Sequence, residues 1–302
     1  MNAFLYISII ILWGLTWFAI KNQIGIVPIE ISLIYRFIIA SIVVFFIMVI
    51  KRGSFRFSFK QHAAMALLGV LLFSANLIFL YRGSAYLPSG IMAIIFSTSV
   101  AMTMLNSIIF LRKSISLNMI IGGLSGLSGL CFIFWPELQG FSLTNETVYG
   151  LILALLGAYC FAWANPTSTY CSRLKIPILS STFYGMIYGM VLLVLFCLFA
   201  DIPYALDFST PYLVSLLYLA IPGSVFGFLS YLALVQRIGS EKAVYTTLFF
   251  PIVALLVSTY FESFEWGSEA MIGVALIILG NALVITKPTL FSKQLAKSGI
   301  NG

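Results

Sequence analysis

Trp13, Thr16, Trp17 and Ile20 follow one another at i, i+3, i+4 and i+7, the spacing of side chains on one face of a helix. Tyr159 and Trp163 stand four apart and share a face in the same way. Two such faces turned toward each other make an aromatic pocket, whose rings hold apolar groups and attract a cation by roughly 0.5–2 kcal/mol. The plainer readings are an aromatic belt at a membrane surface and helix packing. Asn76, Asn106, Asn165 and Asn281 interrupt otherwise apolar runs. Each needs a partner, because an unpaired polar group in hydrocarbon costs several kcal/mol. Bonds between helices are the ordinary use of such amides. Asn76, in mid-run, and Asn165, directly before Pro166, are the best placed to meet a substrate; the proline ring frees a carbonyl one turn earlier. Tyr245, Thr246 and Phe249 form a further stripe.

Arg36 is the basic residue set well inside an apolar run, with Glu30 six residues earlier. A charge at that depth costs at least about 2.5 kcal/mol unless it is paired or wet. Two readings stay open for the pair: a functional intramembrane charge, or an anchor in which Arg36 snorkels or binds carbonyls and Glu30. Glu30 is also the carboxylate placed for a coupling proton, with a plain interfacial role, and uniport or exchange coupled elsewhere, equally open. His62, the one histidine, lies beside Lys51, Arg52, Arg56 and Lys60 at an interface and is a poor relay. Catalysis has little to work with: no acidic pair inside the runs, no nucleophile with a base, and no phosphate loop of the GxxxxGK[ST] type. Cys131, Cys160, Cys171 and Cys197 show no CxxC spacing and no histidine partner, so neither a metal nor a cofactor is indicated. The chain reads as a non-enzyme.

These residues must be carried by elements that live in lipid. The chain is 61% hydrophobic and 8% charged, where a soluble domain needs roughly 25% charge. About 20 apolar residues cross the hydrocarbon core as a helix, and the uninterrupted runs do not alternate as barrel strands do. Breaks in hydropathy predict ten spans, at 3–21, 29–50, 61–82, 88–111, 115–135, 148–171, 178–200, 211–236, 241–261 and 268–286. The first, without a basic leader, reads as a retained span. One set of alternate loops holds nearly all the Lys and Arg, from Lys51 and Arg52 to Lys287, Lys293 and Lys297; the other holds only Lys21 and Arg82. That asymmetry predicts both termini in the cytoplasm. It also accounts for the formal charge of +7 without nucleic acid as a partner.

The chain repeats itself. Pro28, Ile29, Ser32 and Tyr35 recur as Pro177, Ile178, Ser181 and Tyr184, and Gly122 and Gly129 recur as Gly273 and Gly280. Ser89 recurs as Ser240, and Trp13-Gly14 meets Phe161-Ala162. The expected architecture is all-α, ten transmembrane helices in two five-helix repeats, 1–139 and 140–302. Five is odd, so the halves cross in opposite senses, an arrangement that places substrate between them near the midplane. Gly122, Gly123, Gly126 and Gly129 make a close-approach face, expected to pack within a monomer, with a weak homodimer as the alternative.

The ordered set Trp13-Gly14, Arg36-Phe37 with Ala40, Leu87-Pro88-Ser89, Pro251 and the paired glycines resembles the drug/metabolite transporter superfamily, in particular its EamA-like ten-span exporters. The family pattern has Glu after the fourth and ninth spans; here Glu265 stands near the second position and Arg112-Lys113 occupy the first. The resemblance implies a carrier of small metabolites in the cytoplasmic membrane, working by alternating access, with amino-acid export as the leading expectation. Uptake of a quaternary ammonium such as choline, held in an aromatic cage, is the alternative.

Overall fold

The computed structural model describes residues 2–23, 25–87, 89–261 and 267–285, apart from some helical side chains, that of Trp17 among them. The first half holds α1 (Asn2–Gly14), α2 (Thr16–Lys21), α3 (Ile29–Ile50), α4 (Phe59–Gly69), α5 (Asn76–Gly83), α6 (Ser89–Ser97), α7 (Ser99–Leu111), α8 (Leu117–Ile133) and α9 (Trp135–Gln139). The second holds α10 (Asn145–Arg173), α11 (Ile178–Phe199), α12 (Thr210–Tyr218), α13 (Gly227–Ile238), α14 (Ser240–Ala243), α15 (Phe250–Phe261) and α16 (Ser268–Ile285). Six helical stretches are long and apolar enough to cross a membrane, and α1, α8 and most of α16 are shorter apolar helices. Their outer faces carry bare Phe46, Leu124, Leu198 and Leu279, as a lipid-facing surface requires. The chain is an all-helical, multi-pass membrane protein.

Each predicted span falls on helix, with ends within a few residues. The ends have local causes. Ser58 and Gln61 close a capping box at α4, and Thr144 and Thr147 do so at α10. Pro28 and Pro177 stand in extended backbone before α3 and α11, and cannot donate to a preceding turn.

Several helices are broken where an unbroken span was expected, and the breaks recur in type. A π-helical turn, Val70–Ala75, joins α4 to α5, and another, Leu219–Phe226, joins α12 to α13. A 3₁₀ segment, Val244–Phe249, leads into α15. Hydroxyls sit at these points and take carbonyls. Thr16 bonds Trp13 O at 2.6 Å, Ser74 bonds Val70 O at 3.0 Å, Ser97 bonds Ala93 O at 2.8 Å and Thr246 bonds Ala243 O at 2.8 Å. A Ser or Thr that bonds back this way loosens the helical ladder. Pro222 removes a donor in the second π turn.

The two halves present matching backbone. Pro28 and Pro177, Ile29 and Ile178, Ile50 and Phe199, and the left-handed Arg52 and Asp201 each lie 149 residues apart. Contacts match as well: α3 packs on the 219–226 turn as α11 packs on the 70–75 turn, and α3 and α11 pack on each other. Helices α8 and α16 run antiparallel with Gly122 against Gly280 and Gly129 against Gly273. Gly126 receives Leu248, and Gly123 receives Met104 and the Tyr245 hydroxyl, so the glycine face of α8 is filled from within the chain.

Candidate functional site

The breaks surround a cavity of about 320 Å³. Trp13, Thr16 and Ile20 line it from the first helices, Arg36 from α3, and Asn76, Leu77, Leu80, Tyr81 and Ser84 from α5. Met92 and Phe96 of α6 add to that wall. Phe161 of α10, Phe228 of α13 and Phe250 of α15 close it from the second half. Trp13 is the centre of this aromatic wall. Its ring centroid lies 5.0 Å from that of Phe228, 5.7 Å from Phe250 and 6.4 Å from Phe161, each pair edge to face. Its indole N–H donates to Gly223 O at 2.9 Å. That carbonyl belongs to the π turn, where widening of the helix frees backbone groups from the ladder.

Arg36 is 3% exposed. Its Nε donates to Ser224 Oγ at 2.7 Å and its Nη1 to the Tyr81 hydroxyl at 3.5 Å. The pairing with Glu30, part of one of the two readings left open above, is not formed. Glu30 instead holds Arg82, with Oε1 2.6 Å from Nη2 and 2.9 Å from Nε. The reason is tertiary: α5 ends beside the start of α3, and the Arg82 guanidinium rests over the Phe196 ring at 5.2 Å. Asn76 is also 3% exposed, and its Oδ1 has no hydrogen-bond partner.

The structure thus gathers Trp13, Arg36 and Asn76 round one cavity. The Trp17 side chain lies outside the described residues. Other expected residues stand elsewhere. Tyr159 is half-exposed, and Trp163 packs on it and on Phe110 at 4.5 Å, away from the cavity. On α10 the cavity residue is Phe161, which lies about 200° round the helix from its neighbours two residues away. Asn165 is buried behind the wall, where it accepts from the Tyr231 hydroxyl at 2.6 Å and donates to Phe161 O at 3.0 Å and Thr103 Oγ1 at 3.3 Å. Tyr245 donates to Met119 O under α8, and Thr246 to Ala243 O; Phe250, one turn on, faces the cavity instead. Asn281 holds the Tyr6 hydroxyl at 2.7 Å. Tyr81, Ser224, Phe161 and Phe228 were not foreseen. The α5 residues 76, 77, 80, 81 and 84 share one helical face, which was the available signal. Among the position-specific departures, Lys113 binds Glu241 at 2.8 Å, whereas Glu265 lies outside the described residues.

A helical, multi-pass membrane protein closed round one aromatic cavity with a buried arginine has the build of a solute transporter. The model of the EamA-like transporter family matches residues 1–135 and again 148–286, and the chain belongs to that family. It is a membrane transporter. It is 23% identical over 283 residues to the protein PagO of Salmonella typhimurium, covering 93% of this chain and 91% of that one. It is 26% identical over 291 residues to the inner membrane transporter YedA of Escherichia coli K12, covering 93% and 92%. An uncharacterized transporter of Buchnera aphidicola subsp. Schizaphis graminum is 25% identical over 258 residues, covering 85% and 84%. One crystal structure shares the fold with a TM-score of 0.79 over 97% of this chain and 98% of that one, at 17% identity.

Proposed function

We propose that this protein is a secondary carrier that exports amino acids and similar small metabolites across the cytoplasmic membrane by alternating access. The carrying observation is that the cavity is walled from both halves, Arg36 and Asn76 on one side and Phe161, Phe228 and Phe250 on the other. Two five-helix units, 1–139 and 140–302, of opposite orientation and with both termini cytoplasmic, fit the 149-residue correspondences and the double match to the family model. A pseudo-two-fold axis in the membrane plane makes inward-open and outward-open states similar in energy, so rocking one set of helices against the other exchanges them. The cavity runs from the Ser84 and Leu87 end of the bundle to its middle, while the Lys113–Glu241 pair joins helices at the other end. This arrangement supports a carrier open on one side. The cavity is complete within one chain, which supports a monomer as the working unit.

Uptake of a quaternary ammonium is the second reading, supported by the aromatic wall. The Arg36 charge in the same wall weighs against it, because no carboxylate lines the cavity among the described residues. The test is counterflow in proteoliposomes with labelled threonine, phenylalanine and choline. Saturable exchange of an amino acid supports the export reading. Exchange of choline alone selects the second. Exchange of none of the three rejects both.

A further inference from the structure

We propose that Arg36 and Asn76 form a two-point clamp, Arg36 taking the carboxylate of the substrate and Asn76 the polar substituent beside it, while the apolar remainder lies among Trp13, Phe161, Phe228 and Phe250. The inference rests on the carrier reading above and deepens it. A guanidinium has five N–H donors, and among the described residues the Arg36 side chain directs two of them at protein acceptors, both neutral hydroxyls. Glu30, the nearest acid in sequence, is taken by Arg82. Among the described residues Arg36 has no ion-pair partner, so a buried positive charge faces the cavity without a counter-ion. A buried charge left in that condition is costly, and an arriving carboxylate relieves it through short, charge-assisted bonds.

The π turn orients the arginine. Ser224 holds Nε and so fixes the plane of the guanidinium. Gly223 lies next to it, and a Cβ there would come within 3.8 Å of Nη2 and 3.3 Å of Thr16. The contact with Nη2 would be an ordinary one, and it is the Thr16 side chain that glycine spares. The other π turn ends at Asn76, whose Oδ1 is buried and has no hydrogen-bond partner among the described residues. A buried, unpartnered amide oxygen in the wall of a cavity is a binding group awaiting its ligand, since native interiors rarely leave such atoms unpaired. Rotation of the amide by 180° presents either its oxygen, for an ammonium or hydroxyl, or its NH₂ group. Tyr81, which lines the same cavity from α5, accepts from Arg36 Nη1 through its hydroxyl.

The experiment is binding to the purified full-length protein, read by tryptophan fluorescence, with three probes: L-phenylalanine, 3-phenylpropanoate and phenethylamine. On the wild type, both carboxylates bind and phenethylamine binds at least about tenfold more weakly, the loss of one charge-assisted contact. In Asn76→Ala the advantage of L-phenylalanine over 3-phenylpropanoate falls by about tenfold, and 3-phenylpropanoate itself is unaffected. Arg36→Lys keeps the charge but loses the fork, and weakens both carboxylates together. Phenethylamine binding as tightly as the acids, or failure of either acid to bind the wild type, overturns the clamp without any variant. An unchanged preference in Asn76→Ala overturns the second point. Carboxylate binding without counterflow of any solute sinks the carrier reading and leaves the clamp standing. Choline counterflow without carboxylate binding does the reverse.

Discussion

Gly129 and Gly273 lie back to back, each so close to the other's carbonyl oxygen that neither position has room for a methyl group. Gly122 and Gly280 repeat the relationship two turns away. In lipid, where apolar surfaces gain nothing by leaving the solvent, close backbone approach is what holds two helices together. Gly129→Ala and Gly273→Ala should each destabilise the protein by about 1–3 kcal/mol, since the added carbon meets a backbone carbonyl first, with Ile277 or Ile133 close beside it. Gly140→Ala is the control: a Cβ there has only Pro136 O at 3.7 Å. Thermal unfolding in detergent checks this. Equal midpoints for Gly129→Ala and Gly140→Ala would refute it.

Asn165 has the chemistry of a ligand residue but the position of a strut. Its oxygen takes the Tyr231 hydroxyl, and Tyr231 is 1% exposed behind Trp13. Asn165→Ala leaves that hydroxyl buried without an acceptor, which costs about 1–3 kcal/mol. Removing both partners, as in Asn165→Leu with Tyr231→Phe, should recover part of the loss, because the Tyr231 hydroxyl is then no longer stranded, although Thr103 Oγ1 still loses its donor. Half-saturating substrate concentration in counterflow should stay within about twofold of wild type at temperatures where Asn165→Ala is folded, against the about tenfold effects expected of the clamp residues. A large rise would return Asn165 to the binding site.

The helices were legible because lipid imposes one rule on every span, and loops break that rule visibly. The correspondence between halves was legible because Pro28 and Pro177 sit at the same backbone turn. Which side of a helix faces the cavity was not. In a soluble protein the polar face marks the outside, but here lipid and core are both apolar, so Tyr159, Phe161 and Trp163 carry no such sign. Tyr159 points outward, Trp163 packs on Phe110 outside the cavity lining, and the residue between them points in. The Glu30–Arg82 pair was hidden for a different reason. Its members are 52 residues apart, and only the packing of α5 beside α3 joins them. The π turns left only faint traces, a serine in one and a proline in the other.

That pair gives an asymmetric prediction. The Glu30 side chain is 7% exposed and that of Arg82 is 39% exposed. Arg82→Ala strands a buried carboxylate, whereas Glu30→Gln strands a cation that reaches solvent and keeps its contact with the Phe196 ring. Arg82→Ala should therefore be the more damaging, by about 1–3 kcal/mol, short of the full penalty of a deeply buried pair because one partner is wet. A double-mutant cycle on thermal unfolding measures the coupling. Equal losses from the two single changes would show that Glu30 is not desolvated by the fold.

Lys113 meets both oxygens of Glu241, at 2.9 and 2.8 Å, and directly beneath it Ser107 lies 3.4 Å from Ser240. The contact joins the end of α7 to α14 at the end of the bundle away from the cavity lining. Under alternating access that end must part when the carrier turns, so the pair favours the state seen here. An ion pair of this exposure contributes about 1 kcal/mol, enough to change a two-state ratio about fivefold. Ser107 is fully buried and reports on parting of the helices. In a background with Cys131, Cys160, Cys171 and Cys197 replaced, a cysteine at Ser107 should react several-fold faster with a membrane-impermeant maleimide once Glu241→Gln is added. The acceleration should appear only when reagent is supplied on the side bearing Lys113. An unchanged rate, or equal acceleration from both sides, would mean that the pair holds the fold and not the gate. Charge exchange, Lys113→Glu with Glu241→Lys, should return the rate toward that of the parent, since the attraction is restored while the backbone is untouched.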